Sequence, residues 1–162
     1  MNTQRFNLTT AGLALAALLL STPLAAQSVR PTLDLATAKV IAEGCEKYAA
    51  SKGWRMITAV HDEAGNPKYF SRMDGSMLIS IEVAQLKAAT SAALPVSTRK
   101  FRELSQGIDG ANRLPRTTTI IGGLPIMTSK GVQIGGVGVS GGAEEEDEEC
   151  AQKGLDAAKH LL

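Results

Sequence analysis

Aromatic side chains are scarce: the chain has one Trp, two Tyr and three Phe in 162 residues. A protein that grips single-stranded nucleic acid needs exposed rings on which bases stack, so the composition argues against that class. Net charge is scarce too. The 17 Lys and Arg face 16 Asp and Glu, and six of the acids sit in one run over residues 144–149. Binding to a phosphate backbone needs clustered cations that release counterions, so no nucleic-acid partner is expected. Only two cysteines, Cys45 and Cys150, and two histidines, His61 and His160, are present. Two thiols so far apart do not resemble a four-ligand zinc site, and they lack the C-x-x-C spacing of a redox pair. No hydrophobic run reaches the roughly 20 residues that a membrane-crossing helix requires. Ser, His and Asp occur, but nothing sets a nucleophile beside a base, so no catalytic residue is assigned.

What is present begins with a leader. Arg5 precedes the apolar residues 11–20, and "STPLAAQ" then offers small residues suited to cleavage after Ala26. That order reads as a secretory signal peptide over residues 1–26, with one domain over residues 27–162. A periplasmic or secreted location follows as an expectation. Loss of Arg5 leaves 16 bases against 16 acids. An oxidising compartment permits a Cys45–Cys150 disulfide, with two buried free thiols as the alternative.

The element order reads as helix, two strands, helix, three strands, helix. Residues 31–53 form the first helix, with Thr32 or Asp34 as cap, Gly53 as stop, and Ala38, Ile41, Cys45 and Tyr48 on one face. "RMITAVHD", "EAGN" and "PKYFSRM" read as a hairpin, with Pro67 at an edge. Residues 80–94 form the second helix, capped by Ser80, with Val83, Leu86, Ala89, Thr90 and Ala93 as its apolar stripe. A short helical turn over residues 97–104 and a loop follow. "TTTII", "LPIMTS" and "VQIGGVGVS" read as three strands, and residues 145–161 as the final helix.

Gly136, Gly138 and Gly141 spell G-x-G-x-x-G. A dinucleotide fingerprint follows the first strand of a βαβ unit, whereas this one lies on the last strand. The six acids also fill the helix start that a pyrophosphate would use, and they would repel it. Consecutive helical carboxylates point in different directions, so the run is expected to be a solvated face and not a metal cage.

Longer segments carry a resemblance. "RMDGSMLISIEVAQLKAATSAA", "VHDEAGN", "GGLPI" and "IGGVGVSGGAEEEDEECAQKG" resemble the motifs of the GlcG/HbpS family, the haem-degrading domain family, over about residues 33–162. The acidic run is denser than the family ending, and the cysteine pair is not a family hallmark. The resemblance implies an α/β (α+β), three-layer, profilin-like fold, with a five-stranded antiparallel sheet and helices on both faces. It also implies a homo-oligomer, haem as cofactor, a membrane-protein partner for some exported members, and an activity that is not settled. The expected function is therefore an exported haem-binding protein that handles or sequesters haem or iron. The alternative is an oligomeric module for a small carboxylate or aldehyde.

His61, beside Asp62 at a strand end, is the candidate iron ligand, because haem iron takes His, Met, Cys or Tyr. Its other reading is an ordinary strand-end histidine, and His160 is set aside as terminal. Met73 reads as core. Arg72, Asp74, Lys87 and Thr90 form the polar part of the resemblance. Arg72 and Lys87 could meet propionates or a small carboxylate, or one of them could pair with Asp74 to pin hairpin to helix. In the implied fold the first and last helices share one side of the sheet, which brings Cys45 and Cys150 together as a predicted disulfide.

Overall fold

Asp34 starts the first helix, α1 (Leu35–Lys52), by accepting the Thr37 N–H at 2.6 Å. Gly53 stops it: φ is 73°, and its N–H bonds back to Ala49 and Ala50. A residue with a side chain resists that left-handed conformation, which is why the helix ends here. Ala38, Ile41, Cys45 and Ala49 make the fully buried stripe, while Tyr48 is half-buried. The computed structural model describes residues 29–162. The leader expected over residues 1–26 lies outside the described residues.

The hairpin joins β1 (Ile57–Asp62) to β2 (Pro67–Arg72). Asp62 closes the turn by accepting the Ala64 and Asn66 N–H groups at 3.0 and 2.9 Å. Helices α2 (Ser80–Ala93) and α3 (Thr98–Ser105) follow, then β3 (Gly123–Met127), β4 (Gln133–Ser140) and α4 (Glu144–Ala158). The sheet runs β2-β1-β4-β3, antiparallel throughout, with β2 at one edge where the missing N–H of Pro67 costs little. Helices α1 and α4 cover one face and α2 the other, giving three layers.

The sheet has four strands, not the five expected. Residues 117–121 form no ladder because side chains satisfy their backbone instead. Thr90 Oγ1 accepts the Thr118 N–H at 2.9 Å, Thr118 Oγ1 accepts from Ile120 at 3.1 Å, and Glu144 accepts from Ile121 at 3.0 Å. Hydroxyls and carboxylates that capture nearby amides compete with strand pairing in this way.

The buried face of α2 also differs from the expected stripe. Ala89 and Thr90 are buried as expected, together with Ala84, Lys87, Ala88 and Ser91, whereas Val83 and Leu86 are half-buried and Ala93 is exposed. The cause lies in β4. A Cβ at Gly138 would run into the Ala84 carbonyl and the Ala88 amide, and one at Gly136 into Ala88 and Ala92. Helix and sheet backbones touch there, so only small residues fit between them and the larger ones turn aside. Two glycines of the G-x-G-x-x-G string thus serve close packing. Ser80 is not the cap; Ile79 occupies that position with no side-chain bond, and Ser80 is buried in the first turn.

Across the sheet, α1 and α4 approach closely enough for Cys45 and Cys150 to form a disulfide, with Cα atoms 4.8 Å apart and both residues fully buried. That bond ties the first helix to the last.

Candidate functional site

The acidic run is not simply a solvated face, because nearly every member has its own partner. Glu144 pairs with Arg102. Glu148 meets Arg99 at 2.7 Å, with Glu145 at 3.9 Å from the same guanidinium. Glu146 accepts the Ala143 N–H at 2.8 Å and so caps α4 from within, and Glu149 accepts from the Tyr48 hydroxyl at 2.5 Å. Asp147 turns inward. One oxygen takes the Gly142 N–H at 3.0 Å and the other takes Lys87 Nζ at 2.6 Å, while Lys87 also donates to the Val139 carbonyl at 2.8 Å.

Lys87 is therefore not a ligand-facing residue and does not pair with Asp74. It is wholly buried and joins α2, β4 and α4. Burial pulls its pKa below the ordinary lysine value and raises that of Asp147, and the attraction between the two opposes both shifts. Thr90 is likewise engaged. Its hydroxyl donates to the Leu86 carbonyl at 2.8 Å and accepts from Thr118, so it fastens the 117–121 segment to α2.

Arg72 and Asp74 do come together, at an open cleft of about 690 Å³ between α1 and the end of β2. Lys47, Trp54, Arg55 and Met73 share its lining. The register explains the grouping: Ile57 pairs with Arg72, which sets Arg55 opposite residue 74. Arg55 then donates to the Asp74 carbonyl at 3.1 Å, and Arg72 Nε lies 3.4 Å from Ser76 Oγ. Met73 sulfur accepts the Met56 N–H at 3.4 Å. Trp54 is held edge-on to Tyr48, with ring centroids 5.8 Å apart. Glu46 hydrogen-bonds to the Ser71 hydroxyl, and burial followed by the nearby Glu43 raises its pKa. Two guanidiniums and an ammonium beside an indole and a thioether suit a flat apolar molecule with carboxylate tails. Lys47, Trp54 and Arg55 were not singled out in the sequence. Counting outward from the hairpin turn would have found Arg55.

His61 stands elsewhere. It lies at the opposite end of β1, paired with Pro67 and Gly136, on the α2 face. It is 3% exposed, and neither ring nitrogen has a hydrogen-bond partner. Burial first, then the Arg116 charge, holds its pKa below 6.5, against weaker pulls from Asp62 and the Gly65 carbonyl. The expected grouping of His61 with Arg72 and Asp74 is not made, since successive strand residues separate the two ends of β1 by several ångströms each. His160 is exposed in the terminal 3-10 turn Lys159–Leu161. Among the described residues no cluster of three or more His, Cys, Asp or Glu could hold a metal ion, and no helix is long and apolar enough to cross a membrane.

Comparison with known proteins bears on this arrangement. The family model described as "Haem degrading protein HbpS-like" matches residues 33–156. A 15.0 kDa protein from the dhaT-dhaS intergenic region of Citrobacter freundii is 32% identical over 136 residues, covering 80% of this chain and 94% of that one. A double-mutant HbpS from Streptomyces reticuli superposes with a TM-score of 0.76 at 28% identity, covering 84% of this chain and 96% of that one. A complex of PduOC with haem shares the fold at a TM-score of 0.71 and 24% identity, over 78% of this chain and 95% of that one.

Proposed function

The chain belongs to the HbpS-like family, and on that premise we propose that it is an exported haem-binding protein that handles or sequesters haem. The carrying observation is the 690 Å³ cleft, in which Arg55, Arg72 and Lys47 stand beside Trp54 and Met73. The donor set fits the group. The cations would hold the propionates, and the indole and thioether would lie against the macrocycle. Met73 sulfur, which also accepts the Met56 N–H, would be the soft donor that the cleft offers to iron. Bound haem would supply a redox-active iron, and Lys47, Arg55 and Arg72 would anchor its carboxylates. The haem complex of a fold neighbour supports the same reading. Homo-oligomerisation belongs to it as well, supported by the exposed Met77, Leu78 and Ile79. Export rests on the leader composition.

A second reading, a small-carboxylate module without haem, is favoured by one feature: no His, Cys or Tyr lines the cleft. Titration of the mature apoprotein with haem separates the two. A saturable Soret shift at low micromolar haem is expected, weakened roughly tenfold by Arg55→Ala or Arg72→Ala, the equivalent of about 1.4 kcal/mol each. Met73→Ala should move the Soret position, and His61→Ala should leave it in place. No saturable shift would replace haem with the carboxylate reading. Loss of the shift in His61→Ala alone would show the cleft to be wrongly assigned. Protein recovered outside the cytoplasm should begin near Gln27, and an intact Met1 there would remove export.

A further inference from the structure

Three consecutive large apolar residues, Met77, Leu78 and Ile79, stand 55%, 73% and 66% exposed just before α2. The backbone around them is closed by hydrogen bonds. Ser76 Oγ donates to the Met73 carbonyl at 2.8 Å, and the Ser80 and Ile81 N–H groups bond back to the Met77 and Leu78 carbonyls, each at 3.1 Å. The three side chains are thus held outward on an ordered turn, as a tip. Exposed apolar residues scattered singly need no explanation, whereas a contiguous group marks a surface of association.

The far end of α2 carries the converse shape. A cavity of about 410 Å³ opens there, lined by Leu94, Phe101, Leu104, Ile108 and Leu114, with Ser105 and Asp109 as its polar side chains. Tip and cavity are separated by the 14 residues of the helix, which span about 21 Å. Between them lie Val83 and Leu86, the half-buried residues that the close approach of β4 turns aside. Ile79, Val83 and Leu86 follow one another at i, i+4 and i+7 and so continue the apolar surface along one helix face. Charge agrees with shape. Arg72 Nε lies 3.4 Å from Ser76 Oγ at the base of the tip, and Asp109 in the cavity has the opposite sign. Neither forms an ion pair among the described residues.

We infer that the occupant of this cavity is the Met77, Leu78 and Ile79 tip of a second copy of the chain. The two α2 helices lie antiparallel, with Leu86 facing Leu86 midway between Leu78 and Leu94, so both tips and both cavities engage at once. A contact of this kind is two-fold and self-complementary, the commonest symmetry of soluble oligomers. It rests on the homo-oligomer reading above and adds to it the two surfaces that meet and their polarity. Met73 and Asp74 of the haem cleft lead directly into the tip, so the second copy stands at the lip of that cleft.

The test uses the mature protein and reads its mass by sedimentation and native mass spectrometry. Leu78→Asp alters the tip, Leu114→Glu the cavity, and Leu86→Arg sets like charges against each other at the axis. All three residues are exposed or half-buried, so circular dichroism should stay that of the wild type. Each variant should split the wild-type oligomer into smaller species, with this contact weakened by at least about tenfold. Leu161→Asp, at an exposed apolar residue outside the contact, should keep the wild-type mass. An equimolar mixture of Leu78→Asp and Leu114→Glu retains one intact tip and one intact cavity. It should therefore form a one-to-one heterodimer, while each variant alone stays apart, and that recovery also shows both to be folded. A mixture that remains dissociated would overturn the inference, as would a Leu86→Arg protein of wild-type mass. A wild-type oligomer unmoved by Leu78→Asp or Leu114→Glu would overturn it alone and return the cavity to another occupant, such as an apolar small molecule. A monomeric wild type would overturn it together with the homo-oligomer reading.

Discussion

Replacing Lys87 by Met keeps the length and most of the volume of the side chain and removes its charge. Lys87 is 0% exposed, and Asp147 is 3% exposed. The substitution therefore strands a carboxylate in the interior with only the Gly142 N–H at 3.0 Å as partner. Removing one member of a buried ion pair costs about 3–5 kcal/mol. The Val139 carbonyl also loses its 2.8 Å donor, which adds on the order of 1 kcal/mol. In urea, with a slope of roughly 1–3 kcal/mol per molar, a total loss of about 4–6 kcal/mol should lower the unfolding midpoint by about 1.3–6 M. The double variant Lys87→Met/Asp147→Asn retains an acceptor for Gly142 and buries no charge, so it should regain more than half of the loss. Acidification should also shrink the deficit of the single variant. A stranded carboxylate has a folded pKa above 3.8, so the folded state takes up its proton first and the penalty is present only as pH rises through that folded value. Circular dichroism of the oxidised protein measures all three effects. A loss below about 1 kcal/mol in Lys87→Met, or a double variant no more stable than the single, would refute the argument. Weakened haem binding with unchanged stability would restore the ligand-facing role first expected of Lys87.

Two further outcomes follow from buried groups. Reducing the Cys45–Cys150 bond opens a loop that spans 105 residues, for which chain entropy allows up to about 4.7 kcal/mol and practice usually delivers 2–4; peptide mapping without reductant should find one linked pair, and two alkylatable thiols in the native protein would refute the bond. His61 has a folded pKa below its unfolded 6.5, so the stability of its neutral form is complete above about pH 6.5 and is lost as pH falls toward the folded value; urea midpoints at pH 7.5 and 5.5 should differ less in His61→Leu than in the wild type, and identical profiles would remove His61 from the acid response.

Local chemistry was readable where a residue acts on its own neighbours. Asp34, Gly53 and the Asp62–Asn66 turn work within a few positions of themselves, so the ends of α1 and the hairpin follow from the order of residues. Charge balance and the motif strings likewise need no coordinates. Residues 117–121 show the limit. Their β-branched composition reads as a strand, but Thr90 and Glu144 come from distant elements to take their amides, and no local pattern announces that.

The candidate site divides along the same line. The hairpin register, a matter of counting, already sets Arg55 and Arg72 at one end of β1 and His61 at the other. Which of them meets open space is a property of the packed layers. Lys87 looks like a surface cation in a helical string, and only the approach of α4 supplies the Asp147 that makes it an interior one. The rotation of α2 was likewise decided by β4, whose Gly136 and Gly138 admit Ala84 and Ala88 and nothing larger. Hydrophobic periodicity reports how apolar a face is, whereas burial here depends on how near the opposing backbone stands. Residue order therefore determined the family and most of the elements, though not the fate of residues 117–121 or the cap of α2. Three-dimensional packing alone decided which charges are interior, which cysteine atoms touch, and which polar groups are left without partners.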